Sequence, residues 1–190
     1  MVNPKHLRHR AAVGAFLIAC MGLCGSAAVQ DKPAPDKPAH ALDVPYVPTP
    51  PNVVDAMLKM AHVTPSDTVY DLGCGDGRIV VMAAEKYGAH GVGIDLDPQR
   101  IAEANENAKA AGVTSKVKFI VGDVFTSDFS QATVVTLYLL PSVNEKLMPK
   151  LKAMKPGTRI VTHAFTFGDE WPYEQKQDVD GKTIYFWTVK

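Results

Sequence analysis

Cysteine is scarce in this sequence: only Cys20, Cys24 and Cys74 occur in 190 residues. Cys20 and Cys24 fall in an N-terminal stretch that reads as a targeting segment. A mature chain that keeps Cys74 alone forms no internal disulfide, so cross-links do not hold this fold. Charge of one sign is also missing, since 20 Lys+Arg offset 20 Asp+Glu. General nucleic-acid binders carry a basic stripe, so a zero balance argues against that class and leaves room only for a local patch. The apolar run Ala11–Cys24 is too short to span a bilayer comfortably. No internal repeat is visible. His40, His62 and His90 show no metal-ligand spacing, so no metal site is expected. What is present is an ordinary globular composition, 46% hydrophobic and 21% charged, enough for one domain with a core of normal size.

The first 28 residues read as a signal peptide. Lys5, Arg8 and Arg10 make a basic start, "AAVGAFLIACMGLC" an apolar middle, and "SAA" before Val29 a small-residue cleavage site. Removing them leaves 17 Lys+Arg against 20 Asp+Glu, a net of −3. The expected location is therefore exported or periplasmic. Two other readings stand beside it. "LIAC" resembles a bacterial lipobox, which would leave Cys20 acylated and the protein associated with a membrane. A start codon assigned too far upstream would make the protein cytoplasmic. Residues 29–48 form a proline-rich linker, and 29–51 hold seven of the 14 prolines.

From Thr49 to residue 190 the pattern is regular. Thr49 is expected to cap a helix with Pro50 at its first position, and Val54, Met57, Leu58 and Ala61 share one face of it. "TVYDL" (68–72) reads as a buried strand, 78–87 as a helix and "HGVGID" (90–95) as a second strand. Asp97 caps the next helix, Pro98 opens it and Gly112 lies just past its end. Ile101, Ala104, Ala108 and Ala111 line its inner face. Further strands are expected at 117–123, 133–140 and 158–165. "SVNE" (142–145) has the capping-box pattern for a helix with Val143, Leu147 and Leu151 inside. Pro149 is expected to break or bend that helix. The C-terminal "DGKTIYFWTV" is a turn and a β-branched, aromatic strand. Alternating strands and helices build a parallel sheet covered on both faces, closed here by an antiparallel hairpin.

Three of these strands end in aspartate: Asp71, Asp95 and Asp123. Ligands of open α/β sheets bind at those carboxyl ends. One strand-end aspartate means little, but three beside the glycine loop "GCGDG" (73–77) mark a site. The loop departs from G-x-G-x-x-G and lacks the Lys-Ser/Thr of a P-loop. Asp71 and Asp76 would repel a pyrophosphate and suit a cationic group instead. Asp95 lies where a carboxylate accepts hydrogen bonds from ribose hydroxyls. The combination asks for a nucleoside without phosphates that carries an amine or a sulfonium. Cys74, in the same loop, reads as a small apolar filler, with a nucleophile as the less favoured reading.

"VYDLGCGDGRIV" resembles the first motif of the class I S-adenosylmethionine-dependent methyltransferases, "GVGIDLDP" their second and "FIVGD" their third. The resemblance implies a Rossmann-like α/β fold. Its seven-stranded, mostly parallel sheet has the order 3-2-1-4-5-7-6, with strand 7 antiparallel. It also implies the cofactor S-adenosyl-L-methionine. Asp71, Gly73 and Gly75 would hold the methionine end, Asp95 the ribose, and Asp123 with the backbone of Val124 would face the adenine.

Where amino-group DNA methyltransferases carry (N/D)PP(Y/F), this chain has "TLYLLPSVN" (136–144), without an acid or amide at the first position. Base N-methylation is thereby disfavoured. "YLLPSVN", "VPYVPTP" and "KPGTRIVTHAF" are similar to small archaeal protein-lysine methyltransferases and to the mitochondrial lysine methyltransferase that acts on an ATP synthase subunit. That resemblance implies that Tyr46 and Thr49 close over the cofactor. It also implies that Tyr138 is the catalytic-site residue bordering an apolar channel for a protein lysine. A strand residue packed in the core is the other reading of Tyr138. A small-molecule or envelope-metabolite acceptor, or a non-catalytic cofactor-binding module, are the alternative functions. His163 is a candidate base or a buried structural histidine. Lys146, Lys150, Lys152 and Lys155 read as a solvated basic face, or as a surface that steers an acidic partner.

Overall fold

The computed structural model describes residues 46–190. The signal peptide expected at 1–28 and most of the 29–48 linker lie outside those residues.

Eleven elements follow in the order α1 (Pro51–Met60), β1 (Thr68–Leu72), α2 (Arg78–Tyr87), β2 (His90–Asp95), α3 (Pro98–Ala110), β3 (Val117–Val121), β4 (Val134–Leu137), α4 (Pro141–Lys152), β5 (Arg159–His163), β6 (Gln175–Val179) and β7 (Lys182–Thr188). The strands form one seven-stranded sheet in the order β3-β2-β1-β4-β5-β7-β6. β1 to β5 pair in parallel, while β7 runs antiparallel to both β5 and β6. This is the expected fold and strand order.

Period-2 alternation sends residues of one strand to opposite faces. On one face Val69, Val134, Val161, Ile184 and Phe186 pack under α1 and α2. On the other, Leu72, Val135, Leu137, Ile160 and Trp187 pack under α4 and the loop residues Phe129 and Phe167. α2 approaches β2 closely because β2 carries a glycine there: a Cβ on Gly91 would meet Val80 of α2 at 2.5 Å, while one on Gly93 would meet the Phe119 ring of β3 at 2.6 Å.

The helix starts depart from the expectations in instructive ways. α1 begins at Pro51 with Pro50 as its cap and no side-chain capping bond. Thr49 does not cap it because its hydroxyl bonds His163. α4 begins at Pro141, so Ser142 lies inside the first turn and the capping box is not used. Pro149 sits within α4 without ending it. It is exposed, so water can solvate the carbonyl that a proline leaves unpaired. Asp97 caps α3 as expected, accepting from the Gln99 N–H at 2.8 Å.

β4 ends at Leu137, three residues earlier than expected, which releases Tyr138 from the sheet. The expected solvated lysine face holds for Lys146, Lys152 and Lys155, which are exposed, and is corrected at Lys150, which is half-buried. Lys150 donates to the Phe125 and Ser127 carbonyls and lies over the Phe129 ring. Lys152 donates to the Glu170 carbonyl and lies over Trp171. Both ammonium groups tie loops to α4.

Candidate active site

The strand order reverses between β2-β1 and β4-β5, and a cleft opens at the carboxyl ends of β1, β2 and β4. This is the place where doubly wound sheets take ligands. The residues expected to hold the cofactor and border the acceptor all line this one cleft: Tyr46, Thr49, Asp71, Gly73, Gly75, Asp95, Asp123, Val124 and Tyr138. His163 does not line it.

Its floor is the loop between β1 and α2. Gly73, Gly75 and Gly77 all turn with positive φ, at +77°, +52° and +74°. The Gly73 and Cys74 N–H groups donate to the Ile94 carbonyl at 2.8 and 3.0 Å, which ties the loop to β2. The Tyr46 ring lies against Gly75 so closely that a Cβ there would stand 2.5 Å from it. Only glycine fits both that conformation and that contact. Cys74 is buried against β2, and desolvation pushes its thiol pKa well up. It is a filler and not a nucleophile.

Asp95 is fixed by two backbone donors. Gly75 N–H donates to its Oδ2 at 2.8 Å and Asp97 N–H to its Oδ1 at 3.0 Å. Each oxygen keeps acceptor capacity for hydroxyl groups in the cleft. Asp71 is 3% exposed. Burial pushes its carboxyl up to about 7; the Thr136 hydroxyl, donating at 2.7 Å, opposes this, and the nearby Asp95 and Asp76 carboxylates add to it. A carboxyl held at that point gains its charge most readily beside a cation. Asp76 is used differently from the expectation: Arg78 clamps it through Nε at 2.9 Å and Nη2 at 2.6 Å. It is therefore paired within the protein.

Residues 46–49 form a strap along one wall. Arg78 Nη1 donates to the Thr49 carbonyl at 3.0 Å, and the Arg100 guanidinium lies 4.6 Å from the centre of the Tyr46 ring. Opposite, Asp123 opens a turn in which its Oδ1 accepts from Phe125 N–H at 2.8 Å. That turn places Val124 and Phe125 on the cleft. Tyr138, Leu139 and Val143 complete an apolar and aromatic side.

Thr136, Arg78, Arg100 and Phe125 were not singled out by the sequence. Thr136 had a signal, as the one polar residue among the four of β4. Its pairing with Asp71 becomes visible only in the register of the sheet.

Strand-end carboxylates, a glycine floor approached by a ring, and an aromatic side wall suit a nucleoside that carries a cationic sulfur or amine. The fold and cleft are those of a class I methyltransferase. The chain matches the family described as the ANTKMT methyltransferase domain over residues 71–175, and it belongs to that family. It is similar to a protein-lysine N-methyltransferase of Saccharolobus islandicus, with 46% identity over 151 residues, 77% of this chain and 94% of the relative. It is also similar to a mouse lysine N-methyltransferase named for its ATP synthase substrate, at 32% identity over 65% of this chain; that alignment spans about half (50%) of the mouse enzyme. Among solved structures, an RNA methyltransferase of Salinibacter ruber bound to S-adenosyl-L-homocysteine shares 53% identity, with a TM-score of 0.74 over 75% of this chain and 94% of that one. The protein is an S-adenosylmethionine-dependent methyltransferase.

Proposed function

We propose that the enzyme N-methylates lysine side chains of a protein. The observation that carries this reading is the 46% identity to a protein-lysine N-methyltransferase across 94% of that relative. The apolar and aromatic side of the cleft at Tyr138, Leu139 and Val143 supports it, because a lysine stem needs such a wall. An uncharged amine is the nucleophile, and desolvation in an apolar channel favours the uncharged form.

When bound, S-adenosylmethionine supplies a methyl group already activated on a sulfonium. In our reading, Asp71, Gly73 and Gly75 hold its methionine end and Asp95 its ribose. Asp123 and Val124 border the adenine, while Tyr46 and Thr49 close the wall. The chain's part in the reaction is alignment and exclusion of water. Tyr138 borders the acceptor. The sequence of residues 1–28 adds the proposal of export, which N-terminal sequencing of the mature protein tests.

The Salinibacter ruber protein favours a second reading, methylation of RNA. One experiment separates the two. The enzyme is incubated with methyl-labelled S-adenosylmethionine and separated cell fractions, beside an Asp95→Ala control. Label in protein that resists base and recovers as methyl-lysine supports the proposal. Label in RNA or in solvent-extractable material overturns it and leaves the methyltransferase. Absence of Asp95-dependent label in every fraction, with cofactor bound, points to a non-catalytic module.

A further inference from the structure

The Thr49 hydroxyl and the Nδ1 of His163 meet at 3.1 Å in the buried interior, across 114 residues of sequence. Thr49 belongs to the strap on the cleft, and Arg78 holds its carbonyl. On its ring face His163 packs against Tyr138, with centroids 3.9 Å apart and planes inclined by 36°. Phe165 flanks Tyr138 from another side at 6.4 Å. His163 therefore touches the strap with one atom and the side wall with its ring, while standing outside the cleft itself.

The backbone is bent to hold it there. Ala164, the next residue, has φ +68°, a conformation that costs an L residue about 1–2 kcal/mol. Its N–H donates to the Thr183 carbonyl at 2.8 Å, and the Phe165 N–H turns back to the His163 carbonyl at 2.9 Å. His163 is 1% exposed. Burial pushes its pKa down to about 4, with Lys182 adding to the effect. It is an uncharged ring at neutral pH. Its Nε2 has no partner among the described residues. A phenylalanine would fill the same space without burying that nitrogen unpaired. What the imidazole adds is the Nδ1 bond to the strap. A general base needs access to the acceptor, which this ring does not have.

We propose that His163 is a positioning residue that couples closure of the strap over the cofactor to the placement of Tyr138 on the acceptor side. The role of Tyr138 in it rests on the function proposed for the cleft. The strap reaches its bonded position only when the imidazole is in place, and the imidazole in that place supports the Tyr138 ring. Cofactor binding thereby prepares the acceptor wall.

The test is a pair of double-mutant cycles on the full chain, reading the dissociation constant of S-adenosylhomocysteine by calorimetry, with thermal melts to confirm folding. Thr49→Val, Tyr138→Leu and their combination are made in the native background and again with His163→Phe. With His163 present, the combined loss is expected to depart from the product of the single losses by about threefold or more. With His163→Phe the losses are expected to multiply. His163→Asn, whose amide reaches Thr49 but offers no ring, is expected to keep the Thr49 dependence and lose the coupling to Tyr138. Simple multiplication in the native background overturns the proposal, as does an equal departure in the His163→Phe background. If His163→Phe does not fold, the native-background cycle decides alone. No acceptor is present in these measurements, so a failure of the lysine reading leaves their outcome untouched.

Discussion

Thr136 and Asp71 are direct partners in the register of β4 and β1, and the threonine hydroxyl donates to the buried carboxyl at 2.7 Å. The bond aims Asp71 at the cleft and is the stabilising contact of its charged form. Thr136→Val keeps the shape and removes the donor. It is expected to cost about 1–3 kcal/mol. Urea denaturation should show a larger cost at pH 8, where Asp71 is ionised, than at pH 5, where it is protonated. An equal cost at both pH values would mean that the hydroxyl serves packing and not the carboxylate.

Two buried groups in this region titrate with opposite effects on stability. Asp71, raised to about 7, binds its proton more tightly folded than unfolded. Its contribution is complete at low pH and is lost as pH rises toward and through 7. His163, lowered to about 4, is more easily protonated when unfolded. Its contribution is complete above about 6.5 and is lost as pH falls toward 4. Between these limits the slopes offset each other. Asp71→Asn removes one of them. The variant is expected to gain stability over the native protein at pH 8 and to lose it steeply below pH 6. Melting temperature against pH reads this directly, and a flat profile for the variant would contradict the His163 assignment.

With Asp71 at the methionine end of the cofactor, as proposed, cofactor affinity is expected to depend on pH. An ionised Asp71 attracts a cationic ligand and a protonated one does not. Affinity for S-adenosylmethionine is therefore expected to rise as pH increases through about 7. Calorimetry on Asp71→Asn should give weaker binding with little dependence on pH in that range. A native-like rise in the variant would place the titrating group elsewhere.

The opposite end of the sheet carries stability without chemistry. Asp67, before β1, is nearly buried and ion-paired to Arg159 at the start of β5. Thr133 and Thr64 also donate to it, at 2.7 and 2.8 Å. Despite the cost of burial, these bonds keep its pKa below the usual carboxylate range. Arg159→Met leaves a buried charge without its partner, a loss of about 3–5 kcal/mol. The melting temperature should fall while the S-adenosylhomocysteine dissociation constant stays unchanged, because none of these residues lines the cleft.

What the sequence made legible was whatever local chemistry dictates. The buried strands, the Asp97 cap and the strand-end carboxylates around a glycine loop each follow from residues a few positions apart. β6 was not located individually, because "QKQDV" is an almost wholly exposed edge strand without apolar alternation. The Thr49–His163 bond and the Arg78 clamp on the strap span 114 and 29 residues. No periodicity carries such pairings; they arise when the sheet brings β5 and the segment before α1 together. Lys150 and Lys152 show the same limit. Their spacing on α4 says nothing of the loop carbonyls and aromatic rings that fold over them.

Two glycines with nearly the same backbone angle separate conformational strain from steric exclusion. Gly77 has φ +74° and Gly112 φ +70°. A Cβ on Gly112 would meet nothing within 4 Å, whereas on Gly77 it would meet Phe119 at 2.6 Å and the Ala104 Cβ at 2.8 Å. Gly112→Ala should cost only the left-handed conformation, about 1–2 kcal/mol. Gly77→Ala carries the same strain and also forces α3 and the Phe119 ring away from the start of α2, an overpacking cost of about 1–3 kcal/mol more. Because Gly77 ends the cleft-floor loop, its substitution should also weaken S-adenosylhomocysteine binding, while Gly112→Ala should leave it unchanged. Equal losses of stability in the two variants would show that α3 and the Phe119 ring yield freely, and that their packing against Gly77 does not hold the loop in place.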